Sequence, residues 1–159
     1  MAKFMIVETI HQEKIKTVRL GTAVLGNQYG DKEIGKAVKL SADNAYALCA
    51  AGDAIEGIIS SSNFDSQGTV DGFAIGGISS TGYKSVEFDG LQATPGTGVV
   101  AVGDYVVVGT VVAVGTALPG QLKVTKATSQ TPGAYKARVV SLGKAGTGAV
   151  GTVGTVELF

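Results

Sequence analysis

Twenty-four glycines, set between short runs of valine, alanine and isoleucine, constrain this 159-residue chain more than any other feature. Glycine is about twice as frequent here as the roughly 7% of an average protein. The glycines follow no collagen period, and there are only three prolines. The stretch "GVVAVGDYVVVGTVVAVG", residues 98–115, shows the pattern: β-branched runs of three or four residues, each closed by a glycine. Glycine supplies the positive φ that tight turns need and disfavours helix interiors, so this is the punctuation of many turns between short strands. The expectation is an all-β fold, a compact β-barrel or sandwich.

Along the chain, "KAVKL", "YALCA" and "AIEGIIS" read as strands separated by "SADN" and "AGD". Residues 41–51, "SADNAYALCAA", stay open between a strand and one short helix capped by Ser41. "FAIGGIS", "YKSVEFDG", "GQLKVTKAT", "YKARVVSLG" and "GTVGTVELF" continue the strand pattern. Between Gly90 and Leu122 the only charged residue is Asp104. A strand with one wet face carries more polar side chains than that, so both faces of this stretch are expected to be covered, by the rest of the fold or by another chain. Gly-Asp recurs at Gly30-Asp31, Gly52-Asp53 and Gly103-Asp104 with irregular spacing, which implies shared turn chemistry and no solenoid repeat.

Residues 1–28 differ in character: Lys3, Lys14, Lys16 and Arg19 stand among partly alternating apolar residues, with the only histidine, His11. They read as an extended N-terminal arm or a first strand, ahead of a glycine-rich β domain spanning 29–159. The opening residues lack the continuous apolar core and small-residue cleavage site of a secretory signal, so none is expected. Apolar runs such as "VVAV" are too short to cross a bilayer.

A chain of this length suits one domain, able to bury roughly 68–70% of the surface it exposes when unfolded. Lysine plus arginine balances aspartate plus glutamate, 13 against 13, so no general attraction to nucleic acid or to acidic membranes is expected. The single cysteine, Cys49, excludes an internal disulfide and a cysteine-rich zinc site.

Two glycine motifs suggest phosphate chemistry, and both fail on context. Gly146-x-Gly148-x-x-Gly151 has dinucleotide-fingerprint spacing, but that device needs a following helix and an acid about 20 residues on. Here only "TVGTVELF" follows, which extends a strand. "GDKEIGKA", residues 30–37, resembles a phosphate loop, but Ala37 replaces the metal-binding hydroxyl and a strand-like run follows. It reads as a charged surface turn. His11 has no ordered catalytic setting, and Cys49 sits in an apolar run where a buried, inert thiol is the ordinary case. Asp65 and Asp71 lack the calcium-loop pattern. Glu56 with Asp53 could do acid–base work, although nothing marks that pair over the other acids. Tyr46, Tyr83, Tyr105 and Tyr135 sit beside strands and read as packing residues. No catalytic, cofactor-binding or metal-ligating residue is assigned, and no enzymatic activity is expected.

The stretch "GKAVKLSADNAYALCAAGDAIEGIISS", Gly35 to Ser61, resembles a segment of the decoration, or cement, proteins of tailed-bacteriophage heads. "GDYVVVG" and "ARVVSLG…GTVGTVEL" are similar to the closing strands of that family, and the likeness covers roughly residues 30–159. The resemblance implies a structural virion protein made in the host cytoplasm. It would bind the major capsid protein on the outer capsid surface as a homo-oligomer, a trimer in preference to a dimer, and clamp neighbouring subunits. Lys3, Phe4, Lys14, Lys16 and Arg19 are then candidates for a capsid-contact arm. Tyr105, Val107 and Val112, in the charge-poor stretch, are candidates for core or oligomer contact. Two other readings compete: a phage tail or fibre subunit, although the tryptophan common in sugar sites is absent, and a biotinyl-type β carrier, for which Lys126 in "VTKAT" would have to stand at a hairpin tip.

Overall fold

The computed structural model describes residues 15–20, 34–42, 45–63, 74–89, 99–110 and 122–159. They form ten strands and no helix. These are β1 (Ile15–Leu20), β2 (Ala37–Ala42), β3 (Ala45–Leu48), β4 (Gly57–Asn63), β5 (Ala74–Ser79), β6 (Gly82–Phe88), β7 (Val106–Val108), β8 (Lys123–Lys126), β9 (Ala137–Ser141) and β10 (Val153–Leu158). The chain is all-β, in two five-stranded sheets.

The first sheet runs β1-β3-β2-β4-β5 and closes into a barrel. Closure depends on β1, which lies antiparallel to β5 from Ile15↔Ser79 to Leu20↔Ala74 and parallel to β3 at Arg19↔Ala45 and Leu20↔Tyr46. Strand alternation then sorts the side chains. Leu20, Val38, Ile59 and Ile78 pack together as the smaller of two cores. Their sequence neighbours Ala37 and Ile58, themselves paired across β2 and β4, point the other way into the larger core.

The second sheet runs β7-β8-β6-β10-β9. Its inner face supplies Val86, Phe88, Val106, Val124, Val139 and Val156 to the larger core, which Cys49 and Ile55 also join, so one apolar layer unites the two sheets. Each fully buried aliphatic or aromatic side chain there contributes about 1.5–3 kcal/mol. Val107 and Thr125, paired across β7 and β8, belong to the opposite face and are nonetheless buried. Both faces of β7 are covered, as its lack of charge implies. The outer strands of this sheet are tied as well: Tyr105 and Arg138 form an isolated antiparallel bridge between the segment entering β7 and β9.

Residues 45–48 are a strand and not part of a helix. β3 is hydrogen-bonded on one side to β2 (Val38↔Leu48, Leu40↔Tyr46) and on the other to β1, and these ladders outweigh the helix preference of alanine and leucine. Ser41, considered as a helix cap, donates its hydroxyl from β2 to the Ala45 carbonyl at the start of β3, at 3.0 Å.

Candidate functional site

Among the described residues one backbone device recurs four times. At Gly35, Gly52, Gly103 and Gly151, φ is +89°, +87°, +93° and +78°. Each of these glycines donates its N–H to the carbonyl of a distant residue, and that residue's N–H donates back to the carbonyl following the glycine. The exchanged pairs are Gly35/Lys36 with Ile59 (2.7 and 3.0 Å), Gly52/Asp53 with Val108 (2.8 and 3.0 Å), Gly103/Asp104 with Val139 (2.8 and 2.9 Å) and Gly151/Thr152 with Phe88 (2.8 and 2.8 Å). In the last three, Ala-x-Gly-polar, the polar residue's N–H also closes the turn onto the alanine carbonyl at 3.1 Å, the signature of a type II turn with glycine in its third place. The Gly-Asp recurrence in the sequence catches two of the four. Gly35-Lys36 and Gly151-Thr152 escape it because the shared element is backbone geometry, while the polar residue varies. Gly30-Asp31 lies outside the described residues.

The aspartates of two clamps are held twice. Asp53 Oδ2 accepts from the Ala50 N–H at 2.6 Å and pairs with Lys39 Nζ at 2.6 Å. Asp104 Oδ2 accepts from the Ala101 N–H at 2.8 Å and pairs with Lys126 Nζ at 2.8 Å. Lys126 therefore ends β8 and is engaged in an ion pair with Asp104. Glu56, weighed as the acid–base partner of Asp53, instead accepts from the Leu40 N–H at 2.9 Å and faces Lys136 Nζ at 3.9 Å. Hydrogen bonding to Asp53, ahead of its charge, holds the Lys39 ammonium above its usual pKa.

The dinucleotide-like glycines are accounted for structurally. Gly151 belongs to a clamp, and Gly148 bridges Val100, where an added Cβ would sit 2.0 Å from the Val100 carbonyl oxygen. Strand β10 follows, with no helix to receive a pyrophosphate. The phosphate-loop look-alike passes through the Gly35 turn directly into β2. Cys49 is buried, and loss of hydration, then the Asp53 charge, push its thiol up to about 12. Among the described residues no three His, Cys, Asp or Glu side chains are grouped to hold a metal ion, and no helix is long and apolar enough to cross a membrane.

Of the candidate arm residues, Lys16 is exposed on β1 opposite Ile78, and Arg19 lies on β1 opposite Ile75. Lys3, Phe4 and Lys14 are outside the described residues, as is Val112. Val107 is 1% exposed within the single chain. Tyr105 is half-buried and engaged internally: Gln130 Oε1 accepts its N–H at 2.7 Å, and its ring meets Phe159 edge-on at 6.3 Å. Arg138 lies 5.6 Å over the same Phe159 ring and pairs with Glu157 at 3.0 Å.

The exposed apolar side chains concentrate elsewhere. β6 ends at Phe88, β9 ends at Ser141 and β10 begins at Val153, all at one end of the second sheet. Val153 opens β10 at that end, Val150 stands on the turn that Gly151 and Thr152 fix to Phe88, Val99 precedes the Val100–Gly148 bridge, and Val102 stands on the turn fixed to Val139 of β9. Val99, Val102, Val150 and Val153 are 62, 61, 72 and 56% exposed. Lys144 is the one charged residue in 142–153, and 99–103 holds none. Val153, with Ser85, Lys144 and Thr155 among others, bounds a shallow depression of about 400 Å³. Nothing in the sequence separates these valines from the buried ones in the same runs.

No family model, no curated protein and no solved structure matches the chain.

Proposed function

We propose that this chain is a structural adhesion protein, a capsid decoration protein that binds the outer surface of a tailed-phage head as a homo-oligomer and stabilises it without performing a reaction. The observation that carries this reading is the set of exposed valines, Val99, Val102, Val150 and Val153, on a body locked by backbone clamps. The segment that resembles cement proteins, Gly35 to Ser61, is a contiguous structural unit in support of it: two clamps, β2, β3 and the start of β4. Its turn at Ala50–Asp53 reaches out of the barrel to hold β7 of the second sheet. Such interlocking suits a part that must resist mechanical load. Attachment through several copies lets modest individual contacts hold firmly, because each further contact forms at a high effective concentration.

The test is rebinding. Purified chain mixed with expanded heads of its phage that lack it should co-sediment to saturation at a fixed number of copies per head and raise the temperature at which the heads burst. Heads that neither bind the chain nor gain stability would remove this reading. Binding to tails or fibres in the same preparation would move the protein to another part of the virion.

A further inference from the structure

We infer that the junction between the two sheets is a pairing surface for a five-stranded barrel of this build, and that the chain is two such barrels fused. The partner that fits the surface is a second body of the same fold. This holds whether or not the chain binds a phage head.

Strand order is the first observation. The first sheet runs β1-β3-β2-β4-β5, and β1 meets β5 to close it. Counting five strands onward gives β6-β8-β7-β9-β10. The second sheet makes that circuit: β8 pairs β6 and β7, β10 pairs β6 and β9, and the Tyr105–Arg138 bridge links the approach to β7 with β9. β6 and β8 are parallel, as β1 and β3 are. The registers agree as well. Leu20↔Tyr46 corresponds to Phe88↔Val124, and Ala37↔Ile58 to Tyr105↔Arg138. One extra residue interrupts the same ladder in each, Ser60 between β4 and β5 and Val140 between β9 and β10.

Details that strand order does not dictate recur too. The clamp of Gly35/Lys36 on Ile59 has its counterpart in that of Gly103/Asp104 on Val139. Gly76 and Gly154 take equivalent places and admit no side chain for the same reason. A Cβ on Gly76 would lie 2.6 Å from Leu20 and 2.7 Å from the Ser61 carbonyl oxygen. On Gly154 it would lie 2.5 Å from Phe88 and 2.5 Å from the Ser141 carbonyl oxygen. Bulges are features that related sheets keep, so order, register, bulge and glycine together mark one plan used twice. The connections differ in length, which hides the repeat from any search at a fixed period.

The two barrels meet by like ends. Ile15, the start of β1, pairs with Ser79, the last residue of β5, and β6 starts at Gly82. The ends at which β1 and β6 begin therefore adjoin. Glu56 stands directly before β4 and Lys136 directly before β9, equivalent places, and they pair with each other at 3.9 Å. Equivalent residues meet one another close to a two-fold axis, the mark of a self-complementary contact. The centre of the junction is apolar. Ala37, Cys49, Ile55 and Ile58 lie outside the first barrel's own core and pack into the cluster of the second. An apolar centre with polar contacts around it is the make-up of a protein–protein interface.

The test is a full chain carrying a protease-recognition sequence between Ser80 and Thr81. After cleavage the halves should sediment as one particle of the uncut mass, with an unchanged strand signal in circular dichroism. I58D in the cut chain should weaken the association of the halves by at least ~100-fold, since it places charge in a desolvated contact. Ile58 is outside its own barrel's core, so each separated half should keep its strand signal. Halves that part without the substitution overturn the inference, and so does a separated half that unfolds. Should the inserted sequence prevent folding, the order of the halves decides. Residues 81–159 placed ahead of residues 1–80 through a flexible linker should regain a cooperative melt, because two like barrels can be joined either way round. A permuted chain without that melt overturns the inference. Head binding enters none of these readouts, so loss of the decoration role would leave the fused pair standing.

Discussion

Cys49 is 5% exposed, beside the Asp53 carboxylate, and its Sγ points to the Ala54 carbonyl at 3.6 Å. Loss of hydration and that neighbouring charge both oppose the thiolate, which places the folded pKa near 12 against an ordinary 9.0. Alkylation by iodoacetamide at pH 8 should therefore be at least ~100-fold slower in the native protein than in urea, where the thiol regains its ordinary acidity. Linkage fixes the sign for stability. Below pH 9 both states keep the proton and the contribution is intact; between about 9 and 12 the unfolded chain loses its proton first, and stability falls. Urea titrations should show that fall more steeply for the native chain than for Cys49→Ala. Gly154 sets a second residue-level expectation. A Cβ there would lie 2.5 Å from the Phe88 ring and 2.5 Å from the Ser141 carbonyl oxygen. Gly154→Ala should cost about 1–3 kcal/mol through forced repacking, read as a lowered urea midpoint. The burial of Cys49 was legible from its apolar neighbours. The need for glycine at 154 was not, because Phe88 is remote in sequence and arrives only through the β6–β10 pairing.

The element that repeats is the clamp. Gly103→Ala would force a side chain into positive φ with no atom near enough to clash, so the penalty is conformational alone, about 1–2 kcal/mol. Asp104→Ala removes the acceptor of the Ala101 N–H and the partner of a half-buried Lys126, a loss of about 1.5–3 kcal/mol. Thermal melts of the two variants should rank them in that order. A Gly103 variant as stable as the parent would show that the turn is not under the constraint its φ implies. Sequence reading places nearly every described strand, because glycine and turn residues bound each run. It does not find that Gly35-Lys36 and Gly151-Thr152 share the device of the two Gly-Asp turns, since lysine, threonine and aspartate contribute only a carbonyl in common.

At the scale of the molecule, the two sheets are joined by an apolar core with members from both and by backbone bonds between Gly52, Asp53 and Val108. They should open as one unit. Denaturation followed by tyrosine fluorescence and by circular dichroism should give coincident transitions, and the Gly52 and Val108 amides should exchange only with global unfolding. Separate transitions would mean that the clamp at Gly52 holds the barrel loosely. Val107, buried on the face of β7 away from the larger core, belongs to this scale too. Val107→Asp should abolish folding, as seen in the loss of a cooperative melt, because an unpaired charge there has no route to water.

Local chemistry alone settled that this chain is made of short strands and sharp turns: positive φ at glycine and the stiffness of β-branched residues act over one to four positions and leave their mark in any fold. Only the tertiary structure decided that β1 closes a barrel, that β8 runs parallel to β6, and that Val102 and Val150 face water while Val106 to Val108 do not. Those outcomes depend on which strands meet. Strand pairing joins residues tens of positions apart, and in a chain where most runs are interchangeably valine and alanine, no single run carries the address of its neighbour.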